Sequence, residues 1–221
     1  MQVEGDVNTD KVGEYPLVLC LRDASGNETK WELSVKVVNQ ITYEEDEDDS
    51  VYDFDDFIED YKSENRLLGM DVSEWQGQID YERVKDAGCE FVMMRIGYSY
   101  QGKLKVDKSF FDNFKGAKDA GLPVGIYYYS HDKNEEEVRG VLNQIFEILD
   151  GEKLELPIVF DWENFLDFQD YGLSFQMLNH LYDVFEQEVN NHGFEAMLYG
   201  SKYYLDKVWT RKDVRNVWLA H

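Results

Sequence analysis

The stretch FVMMRIGYSYQGKLKVDKSFFDNFKGAKDAGLPVGIYYY, Phe91–Tyr129, decides the fold. Phe91–Gly97 is a short apolar run closed by glycine, the pattern of a buried strand. Ser109–Ala120 carries helical periodicity, and Gly121 falls where a helix ends in a left-handed residue. Pro123–Tyr129 is a second apolar strand. Strand, helix and strand in this order make a unit whose strands lie parallel. Outward from it the same alternation continues. Leu67–Ser73, Leu156–Asp161, Ala196–Tyr199 and Val217–Ala220 read as further strands. Ile79–Ala87, Glu135–Leu149 and Ser174–Asn191 read as helices, a shorter helical piece follows Ser201, and Gly88 and Gly193 sit past helix ends. The expected class is α/β, a TIM-like β/α barrel. Six strands are visible where a closed parallel barrel usually needs about eight. The barrel is therefore expected to be truncated at its C-terminal side, with apolar Val217, Trp218 and Leu219 left at an open edge.

The chain upstream has a different character. Residues 1–43 read as β, with strands at Tyr15–Arg22 and Lys30–Val38 around the turn signal Asp23–Asn27. The pattern GEYPLVLCLRDASGNETKWELSVKV resembles the last hairpin of a bacterial immunoglobulin-like surface module. Residues 44–66 hold 12 acids against Lys62 and Arg66, a solvated linker by charge. Yet Val51, Phe54, Phe57, Ile58 and Tyr61 recur at helical spacing, so a short helix docked on the next domain is the other reading. Residues 67–221 are the barrel. A calcium loop is disfavoured because the acidic run holds no glycine.

The composition narrows the partners. The 221 residues carry 22 basic and 46 acidic side chains, a net charge of -24. Nucleic acid is not an expected partner without a basic face, and an anionic membrane surface is disfavoured likewise. No apolar run reaches the roughly 18 residues of a membrane helix. Cys20 and Cys89 make no disulfide framework. The first residues show no signal-peptide pattern, and the chain is expected to be a piece of a longer protein.

The chemistry of such a barrel sits at the carboxyl ends of its strands. There the sequence places Asp71, Arg95, Tyr98, Tyr127, Tyr129, Asp161, Trp162, Glu163 and Tyr199, with Trp75 close by. Asp161 and Glu163 are the sharpest feature. At a spacing of two in a strand both carboxylates face one way, with Cα atoms roughly 6.5–7 Å apart. Like charges that close push one group toward its protonated form, and a paired acid and base is what glycoside hydrolysis needs. A solvated loop pair or a divalent metal site is the other reading. The aromatic residues suit pyranose rings, although core packing accounts for any one of them equally well. Nucleophilic triads lack support, since there are only four histidines and no G-x-S-x-G. Zinc spacing and phosphate-binding glycine motifs are missing too. No metal and no cofactor is expected.

Several of these motifs, in order, resemble glycoside hydrolase family 25, the Chalaropsis-type lysozymes. They are GMDVSEWQGQID from Gly69, FVMMRIG from Phe91, DKSFFDNF from Asp107, AGLPVGIY from Ala120 and LPIVFDWE from Leu156. Tyr199-Gly200 and Trp218-Leu-Ala220 follow. The resemblance covers Leu67 to His221. It implies an irregular β/α barrel and an N-acetylmuramidase that cuts the β-1,4 bond from N-acetylmuramic acid to N-acetylglucosamine in peptidoglycan. Glu163 then matches the general acid and base, Asp161 the acid that orients the 2-acetamido group, and Asp71 a supporting acid. Tyr127, Tyr129 and Arg95 match positions facing or near the cleft; Trp75, Tyr98, Trp162 and Tyr199 are expected to bind substrate. A further family acid would lie beyond His221. The resemblance favours substrate assistance, with Glu163 holding its proton near neutrality beside a negatively charged Asp161. It also implies a monomer, secreted or held at the cell wall. Residues 67–221 hold 27 acids against 16 basic residues, a net of -11, so capture of an anionic wall must rely on stacking and hydrogen bonds. Two rivals remain: a wall-binding barrel without turnover, and a metal-dependent barrel hydrolase. His131-Asp-Lys, after the third strand, has no assigned role.

Overall fold

The computed structural model describes residues 2–22, 26–38, 54–163, 173–211 and 213–220. The chain divides into two compact units, Met1–Val51 and Tyr52–His221. The turn expected at Asp23–Asn27 and the acidic run before Phe54 lie partly or wholly outside the described residues.

The first unit is a small antiparallel sheet of β1 (Gln2–Glu4), β2 (Gly13–Arg22) and β3 (Glu28–Val37), in that order. Tyr15 faces Val35 and Leu17 faces Leu33, apolar pairs on a single face. Among its described residues only Cys20 is buried, so this sheet holds no core of its own.

The second unit carries the parallel sheet. Its strands are β4 (Gly69–Val72), β5 (Phe91–Tyr100), β6 (Lys103–Val106), β7 (Val124–Tyr129), β8 (Ile158–Asp161), β9 (Ala196–Ser201) and β10 (Val217–Ala220). The order is β4-β5-β7-β8-β9-β10, with every neighbour parallel; β6 pairs antiparallel with β5 alone. The sheet curls into a half-barrel. Trp218 on β10 meets Tyr127, three strands away on β7, with ring centroids 5.7 Å apart.

Helices α2 (Tyr81–Asp86), α3 (Phe110–Asp119), α4 (Glu135–Leu149), α5 (Phe175–Asn191) and α6 (Lys202–Lys207) connect these strands. Side-chain caps start four of them, and before α6 Ser201 accepts from the Tyr204 N–H at 3.4 Å. Asp80 accepts from the Arg83 N–H at 3.2 Å, Asn134 from Glu137 at 3.0 Å and Ser174 from Met177 at 3.0 Å. The core lies between sheet and helices. Phe160 is its centre, ringed by Tyr128, Tyr182, Phe185 and Trp209 at centroid distances of 5.2–6.2 Å. Phe160→Ala at such a site costs about 3–5 kcal/mol.

Two elements differ from the sequence expectation. The strand expected to end at Gly97 runs on to Tyr100 and turns back as β6. Gln101 and Gly102 form its two-residue turn with φ of 51° and 70°, which suits a hairpin. The second is α1 (Phe54–Tyr61), a helix in the acidic run. Phe54 packs on the barrel core, and Ile58 lies against Gly88 beyond α2.

A bulge in β5 sets the alignment of side chains at the open end of the barrel. Arg95 pairs with Tyr127, but Gly97 pairs with Tyr128 and Tyr98 with Tyr129, so one residue is skipped. Gly97 permits this because β6 crosses closely: a Cβ there would lie 2.2 Å from the Lys105 carbonyl oxygen. Gly97→Ala should therefore lose about 2–4 kcal/mol of stability. A urea titration followed by tryptophan fluorescence checks this; an unchanged midpoint would show that β6 moves aside freely.

Candidate active site

Residues in register on parallel strands share a face of the sheet. Arg95, Tyr127 and Val159 form one such row, and Tyr98, Tyr129 and Asp161 form the next toward the carboxyl ends. Along the end of β8 and the two residues after it the alternation separates two chemistries. Phe160 and Trp162 point outward to the helices, while Asp161 and Glu163 point inward. The inward side is a cleft of about 410 Å³ lined by Asp71, Tyr127, Asp161, Glu163, Tyr199, Trp218, Leu219 and Ala220. All but Glu163 belong to β4, β7, β8, β9 and β10, and Glu163 follows β8 directly, so the curl of the sheet assembles the site.

Asp161 is the anomalous group. It is 6% exposed, and its Oδ1 has no hydrogen-bond partner among the described residues. Burial pushes its carboxyl up to about 9, with the nearby charge and hydrogen bond of Glu163 and the charge of Asp71 adding to the shift; Arg95 opposes it. Of the acids lining the cleft, Asp161 is the one that burial holds most strongly toward its protonated form. That direction runs against the expectation of a negatively charged Asp161. The reason is depth: Asp161 ends a fully buried strand, whereas Glu163 stands on the open side of the cleft.

The other groups support this pair. Asp71 is raised by desolvation, and the Tyr127 hydroxyl hydrogen-bonded to it holds the shift in check. Tyr127 itself is raised, by burial first and by the Asp71 charge second. The Tyr204 hydroxyl on α6 donates to the Glu163 carbonyl at 3.1 Å and pins its main chain. Trp218 stands edge-on to Tyr199 at 5.3 Å.

Not every expected residue reaches the cleft. Trp162 is 1% exposed and packs edge-on against Tyr204 and Trp209 in the core. The alternation that turns its two acidic neighbours inward turns it outward. Arg95 faces the interior, but its guanidinium is held by Asp107 at 2.7 Å and Glu74 at 2.9 Å. Buried Asp107 also accepts from the backbone of Glu74 and Ser109, tying the loop after β4 to the start of α3. Arg95 therefore acts on Asp161 through its charge. Trp75 lies on the 3-10 turn Glu74–Gln76, 79% exposed and outside the cleft lining. Tyr98 and Tyr129 stand at the mouth, each with its ring against His131. The sequence reading missed Trp218 as a lining residue. Its register opposite Tyr199 on β9 was the available signal. Among the described residues no group of three or more His, Cys, Asp or Glu is placed to hold a metal ion, and no helix is long and apolar enough to cross a membrane.

Fold and cleft together define a β/α-barrel protein with paired carboxyls at its strand ends, an arrangement suited to acid–base cleavage of glycosidic bonds. The family model described as glycosyl hydrolases family 25 matches residues 70–221, and the chain belongs to that family. An autolytic lysozyme of Clostridium acetobutylicum is 26% identical over 157 residues, 70% of this chain and 44% of its own length. Lysozyme M1 of Streptomyces globisporus is 36% identical over 64 residues, 29% of this chain and 21% of its own. The chain spans less than half the length of these curated relatives. Among solved structures, the spore cortex lytic enzyme SleM of Clostridium perfringens has a TM-score of 0.62 at 21% identity, covering 73% of this chain and 55% of its own. The modular autolysin LytC of Streptococcus pneumoniae, solved with a synthetic peptidoglycan ligand, has a TM-score of 0.60 at 21% identity, covering 70% of this chain and 37% of its own.

The raised Asp161 carboxyl has a consequence for stability. Its folded pKa of about 9 lies above the ordinary value of 3.8, so the folded state binds the extra proton. Stability is then lost progressively as pH rises from about 4 to about 9. Asp161→Asn should raise stability, by about 1–3 kcal/mol at pH 7 and by less at pH 5. Thermal melts of both proteins at pH 5, 7 and 8 check this. A gain that does not grow with pH would show that Asp161 is ionised in the fold.

Proposed function

We propose that this chain is the catalytic barrel of a peptidoglycan hydrolase that cuts the β-1,4 bond between N-acetylmuramic acid and N-acetylglucosamine. The single observation that carries this is the Asp161–Glu163 pair, a deep carboxyl beside a more exposed one, lining a cleft walled by tyrosine and tryptophan. Family membership and the named relatives support the wall glycan as substrate. The site of action is then outside the cell membrane, at the wall.

The chemistry follows from the pair. When the glycan enters, the acetamide N–H beside the scissile bond becomes the hydrogen-bond partner that Asp161 Oδ1 lacks among the described residues. A carboxylate accepts that bond better than a carboxylic acid, so a proton on Asp161 passes to Glu163. Glu163 gives it to the leaving oxygen while the acetamide oxygen attacks the anomeric carbon and closes an oxazolinium ring. Asp161 takes up the acetamide proton or its charge as the ring forms. Glu163, now a base, then removes a proton from the water that opens the ring. The anomeric carbon is displaced twice, so its configuration is retained. Asp71, bonded to Tyr127, adds negative potential that favours the cationic transition state.

In the whole protein, Glu163→Gln should lower release of dye from labelled peptidoglycan by about 10²–10⁴-fold, because it removes the transferable proton and keeps the shape. Sedimentation of the variant with wall fragments should be unchanged. Near-wild-type release by Glu163→Gln would remove Glu163 from the mechanism. Wall binding without turnover in the wild type would favour a binding barrel. A chelator should leave the wild-type rate unchanged, and a loss restored by one divalent ion would point to a metal-dependent hydrolase.

A further inference from the structure

The acid chemistry leaves one group at the mouth of the barrel unused. His131 follows β7, and its ring stands edge-on to Tyr129 at 4.8 Å and 74° and to Tyr98 at 6.3 Å and 82°. Tyr98 joins this group because of the β5 bulge, which sets it in register with Tyr129; Tyr129 in turn is in register with Asp161. The rings therefore belong to the same layer as the acid. Tyr98 is 44% exposed, and His131 and Tyr129 are half-buried, so the layer opens at the barrel end.

Behind this layer lies a buried carboxyl. Asp132 is among the most buried polar residues of the chain. It accepts hydrogen bonds from the Tyr128 hydroxyl at 3.2 Å and the Ser130 hydroxyl at 3.1 Å. Its own N–H donates to Ser130 Oγ at 3.3 Å. The groups facing it are Ser99 from β5, Tyr128 from β7, Ser130 just after that strand, and Glu137 from α4; burial dominates and pushes the carboxyl up to about 6. Ser99 Oγ also accepts from the His131 N–H at 2.6 Å, and the Ser130 N–H donates to the Asp161 carbonyl at 2.6 Å. The main chain on both sides of the His131 side chain is thus fixed, and through Ser130 it is fixed to the strand that carries the acid. Burying a carboxyl is costly unless its bonds are used. Here Oδ2 is used to hold one loop, while Oδ1 is buried without a hydrogen-bond partner among the described residues.

We propose that His131 contacts the glycan at a sugar subsite flanking the Asp161–Glu163 pair, with Tyr98 and Tyr129 as its walls, and that Asp132 is the positioning residue that sets it. The ligand is an N-acetylated pyranose of the strand being cut. Its C–H face packs on aromatic rings, and its hydroxyls meet the imidazole and phenol groups. This inference rests on the muramidase reading and adds residues to it.

The test uses the whole protein and a soluble tetrasaccharide of alternating N-acetylglucosamine and N-acetylmuramic acid. His131→Ala should raise KM about tenfold and change kcat by less than about twofold, because it removes binding and leaves the proton pair alone. Asp132→Ala should raise KM similarly, by releasing the loop. Asp132→Asn should stay within about threefold of wild type, since its amide oxygen still accepts from Tyr128 and Ser130. Kd for the tetrasaccharide, from fluorescence titration, separates the two readings. If wild type turns over but His131→Ala matches it in KM and Kd, the subsite is overturned alone. If wild type binds without turnover and His131→Ala weakens binding, the subsite stands and the muramidase reading falls. If wild type neither binds nor cleaves, both fall. If Asp132→Ala lowers kcat at unchanged KM, Asp132 is not a positioning residue for binding.

Discussion

The two-residue period of one short strand governs this molecule. Phe160, Asp161, Trp162 and Glu163 alternate between a packed aromatic core and an open cleft. Neither side can be changed alone. Shifting the register of β8 by one residue would bury both carboxyls under the helices and turn Phe160 and Trp162 to solvent. The cost of either error exceeds the net stability of an ordinary domain. Burial of the outer aromatic rings is thus what keeps Asp161 deep enough to hold a proton, and stability and reactivity are set by the same backbone.

Much of this was legible in the residues. Apolar runs bounded by glycine and proline located the parallel strands, and the Asp161–Glu163 spacing located the acids. Trp162 was misplaced because its type was weighed and its parity was not; the alternation that turned the acids inward already turned it outward. Arg95 was placed on the right strand, but its partners Glu74 and Asp107 lie 21 and 12 residues away, and no local pattern announces such a pair. β6 was hidden for a similar reason: Lys103–Val106 is too short to show a period, and only the left-handed pair Gln101–Gly102 betrays the hairpin. Charge misled in the acidic run. Its acids describe the exposed side of α1, while Phe54 and Ile58 describe the side that packs. That one of the two acids is pushed toward its protonated form was legible from their spacing, but which one was not, since that depends on which lies deeper.

The charge of the barrel segment adds a constraint on recognition. With an excess of acids there is no general attraction for an anionic wall polymer. Local order must do what long-range attraction does not, and the cleft shows such order. Trp218 meets Tyr127 and Tyr199 edge-on, and Tyr127 bonds Asp71. Rings held at fixed angles lose little freedom on contact with a ligand, so each contact retains more of its value.

Helix α1 changes where the catalytic unit begins. The charge run ends near Arg66, which invites a cut at Leu67. Such a cut would remove Phe54 from a crevice it shares with Met70, Val84 and Ala87, uncovering apolar surface beside the strand that carries Asp71. Met70 is the immediate neighbour of that acid, and a loosened β4 would reach the cleft through one peptide bond. A swap of upstream modules, whether in the laboratory or by recombination, therefore has its safe joint before Phe54, and the helix travels with the barrel.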